Sequence, residues 1–517
     1  MHHQHFTEEH ELFRQSFRSF LEREAAPHID KWEDERRTPR KIWKKMGSMG
    51  YLGLSYPEKY GGQDLDFFFD VVFNEELGRM NSGGFAITQQ VVQYMSGPYI
   101  LKYGSDSIKK KYLPGLIAGD LISSIGITEP SAGSDVQNIQ TRAVKNGDHY
   151  VVNGSKTFIT NGVYGDLVVT VVKTGADKGA TGISLLVIEQ KMEGVSTRKL
   201  KKLGWHCSDT AEMSFDNVKV PLENLIGEEG RGFYYLMNGL QLERICAMPA
   251  AVTACDKAIE TSLQYMSERK AFGRSINKFQ VLRHRIAQLA AEVEALRSFT
   301  YHCCDMYNRG IYDVKLCSML KIVGSELAEK VATQCLQFFG GYGFMEDYPM
   351  ARMYRDVRVG TIGGGTSEVM REILAKMIID DVNFKKEPSS IVDRRKTKAK
   401  NKPPKDGNEE KGNSTGEDRP SFKDLLSEVS QKAMASKAIK NTIKFDFGDN
   451  QIFIDGAGSK NIVSDQNKNA HCIVKISLND FCKLLTGDLD HMNAMMSGKM
   501  VIEGDMGVAI KLESLFS

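Results

Sequence analysis

Metal-clip and redox-pair cysteine patterns are missing from this chain. Its nine cysteines include the neighbours Cys303 and Cys304 but no CxxC pair, and no group of His and Cys has zinc-like spacing. A structural zinc site and a thioredoxin-type centre are therefore not expected, and the thiols read as reduced and mostly buried. No apolar run is long enough to read as a membrane span. Net charge is lacking too: a formal +2 over 517 residues gives a nucleic-acid partner no general electrostatic support. The opening stretch MHHQHFTEEHELF has no secretory apolar core, and Glu8, Glu9 and Glu11 conflict with an acid-poor mitochondrial presequence. Leu515, Phe516 and Ser517 do not form the peroxisomal tripeptide. The cytoplasm is the expected compartment, with the mitochondrial matrix and the peroxisome left open.

The composition is that of an ordinary globular protein, 41% hydrophobic and 26% charged, and the length predicts several domains. Residues 1–120 carry apolar residues at three- and four-residue steps and predict a helical domain. Over residues 121–228 the texture changes to short β-rich runs such as HYVVNG, DLVVTVVKTG and GISLLVIEQ. Three Asn-Gly pairs, at Asn146, Asn153 and Asn161, predict tight turns among them, so a central antiparallel β domain is expected. Residues 229–383 return to long helical patterns and predict a bundle. Residues 384–420 are polar and charged and read as a flexible linker; their basic run, Arg394 to Lys405, is read as a solvated tether in preference to an RNA or acidic-surface contact. Residues 421–517 alternate helix-like and strand-like runs, as expected of a small α+β domain.

Chemistry is concentrated in a few segments. The run from Phe339 to Phe344, FGGYGF, is no dinucleotide loop, because it follows a helical pattern and lacks the third glycine. GITEPSAGSDVQNIQTRA (126–143) and NGSKTFITNG (153–162) place small and hydroxyl residues in turns between strands, where backbone N–H and side-chain O–H groups approach a polar ring or phosphates. With ERKAFGRSINKFQ (268–280), QFFGGYGFMEDYPMARMYRD (337–356) and IGGGTSEVMREIL (362–374), these motifs resemble the acyl-CoA dehydrogenase family, in the family's order, over residues 7 to 381.

That resemblance implies a helix–sheet–helix fold, FAD as cofactor and an acyl-CoA substrate. It implies Thr128 at the isoalloxazine edge, Ser134 by flavin or CoA phosphates, and Phe158 and Thr160 flanking the ring. Arg269, Phe272, Gln280, Gln337 and Gly341 match positions that hold the FAD of a neighbouring subunit, and Thr366 and Glu368 a further flavin-contacting turn. A homotetramer and an electron-transfer flavoprotein as electron acceptor follow from the same resemblance.

Removal of the α-proton of a thioester needs a base. Many members of the family carry a Glu just before the Gly-Thr that corresponds to Gly365-Thr366; Gly364 stands there instead. On a helix spanning GFYYLMNGLQLERICAM, Glu243 falls seven residues after Leu236 and four before Ala247, along an apolar stripe where a carboxyl is driven toward a partner or a raised pKa. Periodicity alone leaves an ordinary pair with Arg244 as the alternative. LQLER, however, resembles the segment from which the isovaleryl and long-chain branches supply their base, which implies Glu243 as the base, Gly364 as a backbone oxyanion donor and Arg244 as a CoA contact. An acyl-CoA oxidase and a catalytically inactive flavin-fold scaffold or lipid-binding protein remain the other readings.

The end of the chain, clearest in SGKMVIEGD, resembles the sterol carrier protein type 2 family, whose apolar tunnel implies a lipid or fatty acyl ligand. Met492, Met495, Met496, Met500 and Met506 are either the lining of that tunnel or plain core.

Overall fold

The computed structural model describes residues 5–175, 182–380, 422–435, 438–439, 441–448, 450–458, 460–486 and 500–504. Contacts divide the chain into two compact units, Met1–Lys402 and Pro403–Ser517.

The first unit begins with helices α1 (Glu8–Glu24), α2 (Ile29–Glu35), α3 (Arg40–Ser48), α4 (Phe67–Arg79), α5 (Gly83–Gln90), α6 (Gly97–Tyr103) and α7 (Asp106–Ile117). Their starts carry capping side chains: Thr7, Asp66, Ser82 and Ser105 each accept from a backbone N–H in the first turn. Helix α4, FFFDVVFNEELGR, is buried on all sides, so its polar residues need internal partners. Tyr94 donates to Asp70 at 3.0 Å, Gln90 to Asn74 at 2.8 Å, and Arg14 and Arg18 of α1 reach Glu75 and Glu76 at 2.6 and 2.7 Å. A π-helical turn, Val91–Ser96, joins α5 to α6.

The sheet domain holds β1 (Ser123–Gly126), β2 (Arg142–Asn146), β3 (His149–Thr160), β4 (Leu167–Lys173), β5 (Ile183–Glu189), β6 (Val195–Lys199), β7 (Thr210–Pro221) and β8 (Leu225–Ile226). Their order is β6-β7-β3-β2-β4-β5-β8, with β1 beside β4; pairing is antiparallel except where β4 meets β1 and β2. Two of the Asn-Gly pairs form turns, with Gly147 at φ +61 and Asn161 at φ +61. The third does not. Gly154 lies inside β3 at a register shift, φ +146, where a Cβ would come 2.6 Å from the Cα of Thr141. The dipeptide that favours positive φ serves there as a bulge that lets two backbones approach.

Helices α8 (Gly232–Glu268), α9 (Gln280–Asn308), α10 (Val314–Phe338), α11 (Pro349–Val357) and α12 (Ser367–Ile378) complete the unit, with a short ribbon, β9 (Lys270–Ala271) and β10 (Arg274–Ser275), between α8 and α9. The neighbours Cys303 and Cys304 point into different cores: Cys303 packs within the helical bundle, Cys304 against the N-terminal helices. All nine cysteines are free and eight are buried. Among the described residues no helix is long and apolar enough to cross a membrane, and no cluster of His, Cys, Asp and Glu suits a metal ion.

In the second unit α13 (Phe422–Ala435) and α14 (Leu478–Thr486) pack on a five-stranded sheet of β11 (Thr442–Asp446), β12 (Gln451–Asp455), β13 (Ile462–Ser464), β14 (Cys472–Ile476) and β15 (Met500–Gly504), in the order β13-β12-β11-β14-β15. Leu425, Val429, Phe445, Ile454, Phe481 and Met500 lie in its core. Of the five methionines singled out above, only Met500 is among the described residues, and it is core. The fold is the expected one: helices, sheet, helices, then a small α+β domain.

Candidate active site

Glu243 stands on α8 one turn after Gly239 and two after Leu236. The missing side chain at Gly239 is what admits α6, since a Cβ there would come 2.1 Å from the Tyr99 hydroxyl oxygen. That hydroxyl lies 3.3 Å from Glu243 Oε1 and 3.3 Å from the Leu236 carbonyl oxygen, placed to donate its one proton to either. Burial leaves Glu243 only 7% exposed and pushes its carboxyl up from 4.5 to about 7, against the opposing pull of Arg244 and Tyr99.

Arg244 turns away from its neighbour. Its Nε donates to the Gly364 carbonyl oxygen at 3.2 Å and its Nη1 to Gln241 Oε1 at 3.2 Å, so the guanidinium ties α8 to the glycine turn before α12. Gly364 has φ +65 and Gly365 φ +94, a left-handed backbone that favours glycine, and a Cβ on Gly364 would meet nothing within 4 Å. Conformation rather than crowding demands glycine at 364, and that side of the turn is open. Thr366 then caps α12, accepting from the Val369 N–H at 3.2 Å. Glu368 is exposed in the first turn, where hydrogen bonds at the helix start hold its carboxyl below the usual range.

A second group lies on the sheet. The Thr157 N–H donates to the Thr128 carbonyl at 2.8 Å, joining the loop after β1 to β3. Beside it the buried Lys156 donates to Glu129 Oε1 at 2.7 Å and to the Ile127 carbonyl at 3.1 Å, and Glu129 also accepts from Thr141 N at 3.0 Å and Gln140 N at 2.5 Å. Burial brings Lys156 down to about 8, with Glu129 pulling the other way. This clamp fixes Thr128 against the strand that carries Phe158 and Thr160. Thr128 and Thr160 are half-buried, and Ser134 is exposed in the following loop. Phe158 has φ +64 and is 68% exposed, a strained backbone that holds a large ring on the surface.

The third group forms an exposed face. Arg269, Phe272, Gln280, Gln337 and Gly341 are all exposed. The Arg269 guanidinium lies 5.7 Å from the Tyr342 ring centroid and Tyr265 stacks on Phe339 at 4.2 Å, so the segments around 269 and 340 are neighbours. Phe272, at φ +49, is 95% exposed. The described contacts bring Glu243, Arg244 and Gly364 together, and Thr128 with the strand of Phe158 and Thr160. They do not join the exposed face to Glu243 within one subunit.

Sequence reasoning missed Tyr99, Gln241 and the Glu129–Lys156 clamp. PYILKYG gave no sign that its first tyrosine meets a residue 144 positions away. Lys156 did carry a signal, as a lone cation in a strand between two hydroxyl residues.

Comparison with known proteins agrees with this architecture. The acyl-CoA dehydrogenase N-terminal, middle and C-terminal domain models match residues 7–120, 124–218 and 230–379, and the SCP-2 sterol transfer family model matches residues 422–517. The mitochondrial long-chain specific acyl-CoA dehydrogenase of Mus musculus is 40% identical over 381 residues, 73% of this chain and 88% of that protein. The mitochondrial isovaleryl-CoA dehydrogenase of Pongo abelii is 35% identical over 376 residues, 72% of this chain and 88% of that protein. The crystal structure of an acyl-CoA dehydrogenase from Geobacillus kaustophilus superposes with a TM-score of 0.71 at 44% identity, covering 73% of this chain and 99% of that one. Matches this long, to each domain of the first unit in turn, make the chain a member of the acyl-CoA dehydrogenase family, an enzyme of that class followed by an SCP-2 domain.

Proposed function

We propose that the chain oxidises an acyl-CoA between Cα and Cβ to a trans-2-enoyl-CoA, with Glu243 taking the α-proton. The observation that carries this reading is Glu243 itself, buried on α8 with its carboxyl pushed up to about 7 and next in sequence to Arg244, which ties the same helix to the Gly364 turn. A carboxylate destabilised by burial is a stronger base than one in water, yet near neutral pH a large fraction is still ionised. Gly364 offers its backbone N–H to the thioester carbonyl oxygen, where negative charge develops as the α-proton leaves, and the open side of the turn leaves room for that oxygen. Arg244 is buried and engaged with Gly364 and Gln241, which supports a part in fixing the turn over a reach toward CoA.

The residues also fit a flavin. Thr128 and Thr160 offer half-buried hydroxyls on segments clamped by Lys156 and Glu129, and Gly364 leaves free the space a side chain would fill. We assign FAD to this site, held by Thr128, Ser134, Phe158, Thr160, Thr366 and Glu368, with Arg269, Phe272, Gln280, Gln337 and Gly341 serving the FAD of a neighbouring copy. When bound, FAD supplies the acceptor for the hydrogen that leaves Cβ. The strained, fully exposed Phe272 supports an assembly that covers it, and a homotetramer is the assembly proposed. An electron-transfer flavoprotein is the proposed electron acceptor. The C-terminal domain binds a lipid or fatty acyl ligand, and its tether keeps that ligand at high local concentration near the dehydrogenase.

The test is anaerobic mixing of the FAD-loaded full chain with acyl-CoAs of graded length and branching. Bleaching of the flavin is expected in the wild type and lost in Glu243→Gln with FAD retained. Unchanged bleaching in the variant sinks the assignment of the base, and peroxide formation in air marks an oxidase instead.

A further inference from the structure

We propose that Tyr99 is a positioning residue for the base: its hydroxyl turns between Glu243 and the Leu236 carbonyl and so partners the carboxyl in both of its protonation states. The inference rests on Glu243 being the base. A tyrosine hydroxyl has one proton and can also accept. Here two acceptors lie at the same 3.3 Å from it, so it cannot donate fully to both at once.

The ionised carboxylate is an acceptor only, and the hydroxyl proton then belongs on Glu243 Oε1. Once the α-proton has arrived, the carboxyl carries an O–H of its own. The Tyr99 oxygen then accepts from that O–H and turns its own proton to the Leu236 carbonyl, which keeps a lone pair free besides its helical bond. No bond to Tyr99 breaks, and it gains and loses no proton. Both states of the base are therefore hydrogen-bonded at a buried position, where an orphaned partner is costly.

Packing restricts Tyr99 to this rotation. The ring is buried, and Gly239 gives the hydroxyl its place on α8. The titratable groups that act on the pair are Arg244 and Cys246 on α8, Tyr103 on α6 and Tyr312 before α10; Cys317 on α10 acts on Arg244, and Asp70 on α4 and Tyr94 in the π-helical turn interact with Cys246. Burial pushes Tyr94, Tyr99, Tyr312, Cys246 and Cys317 upward, so these stay neutral while Glu243 titrates.

Two readouts on the FAD-loaded full chain test the proposal. The first is an infrared titration of the Glu243 carboxyl without substrate, identified by its loss in Glu243→Gln. The second is the pH profile of flavin reduction by acyl-CoA in stopped flow. Tyr99→Phe removes one oxygen and keeps the ring; it is expected to raise the carboxyl midpoint and the acid limb of the rate together, by about tenfold in proton concentration. KM is expected to change little, since the hydroxyl bonds the base rather than the substrate. Gly239→Ala, which displaces the hydroxyl without removing it, is expected to move both in the same direction. An unmoved midpoint and limb in both variants overturn the proposal, as does a rate lost evenly at all pH values. Should Glu243→Gln still reduce the flavin, the underlying assignment of the base fails first, independently of what Tyr99→Phe does.

Discussion

A buried carboxyl raised to about 7 must weaken the fold as it ionises. Glu243 goes from 4.5 in the unfolded chain to about 7 in the folded one, so the folded state binds its proton more tightly. The stability is therefore fully present below the unfolded value and is lost as pH rises toward the folded value. That gap of about 2.5 pH units, at about 1.4 kcal/mol each, corresponds to about 3 kcal/mol for complete ionisation, of which about 2 to 3 kcal/mol falls between pH 5 and pH 8. Glu243→Gln removes this titration and keeps an acceptor for Tyr99. Its stability relative to wild type should improve by that amount between pH 5 and pH 8, whatever constant packing difference the amide introduces. All three tryptophans, Trp32, Trp43 and Trp205, lie in the first unit, so their fluorescence in denaturant titrations reports its unfolding without the SCP-2 domain. A difference between the two proteins that stays the same at both pH values refutes the argument, because the carboxyl would then titrate alike folded and unfolded.

Lys156→Ala leaves Glu129 buried without its cation and should cost about 3 to 5 kcal/mol in the same denaturant titration, with weaker FAD retention because Thr128 loses its clamp. Gly364→Ala meets no neighbouring atom but must hold φ +65, so a stability loss of about 1 kcal/mol and a larger fall in the flavin reduction rate are expected. Phe272→Ala should leave the stability of a single subunit within about 0.5 kcal/mol while shifting the assembly to smaller species in light scattering. In the SCP-2 domain, Phe481→Ala should lower stability by about 3 to 5 kcal/mol, read by circular dichroism, and weaken binding of a fluorescent fatty acyl ligand.

Periodicity carried the sequence reading where local order decides the outcome. The stripe through Leu236, Glu243 and Ala247 specified a helix with a carboxyl on its apolar side, and α8 has it. Asn153-Gly154 shows the limit: the dipeptide encodes a backbone preference, and whether it becomes a turn or a bulge depended on Thr141 in another strand. The partners of the base were illegible for the same reason. Tyr99 looks like any aromatic on a half-buried helix until Gly239 opens a place for it, and Arg244 beside Glu243 looks like an ion pair until the Gly364 carbonyl claims it.

The neighbours Cys303 and Cys304 have a consequence for how the chain is made. The hydrophobic core of the N-terminal helices also includes Leu236, Ile245, Tyr301, Cys304 and Cys317, and Glu75 in α4 is met by the Tyr301 hydroxyl and by Thr253. A nascent chain therefore cannot close its first core until the ribosome has released residues beyond 317, with the sheet domain already outside the tunnel. Until then α4, which the folded unit buries on every side, keeps its aromatic and aliphatic residues exposed and its buried carboxylates without their later partners, a state prone to aggregation.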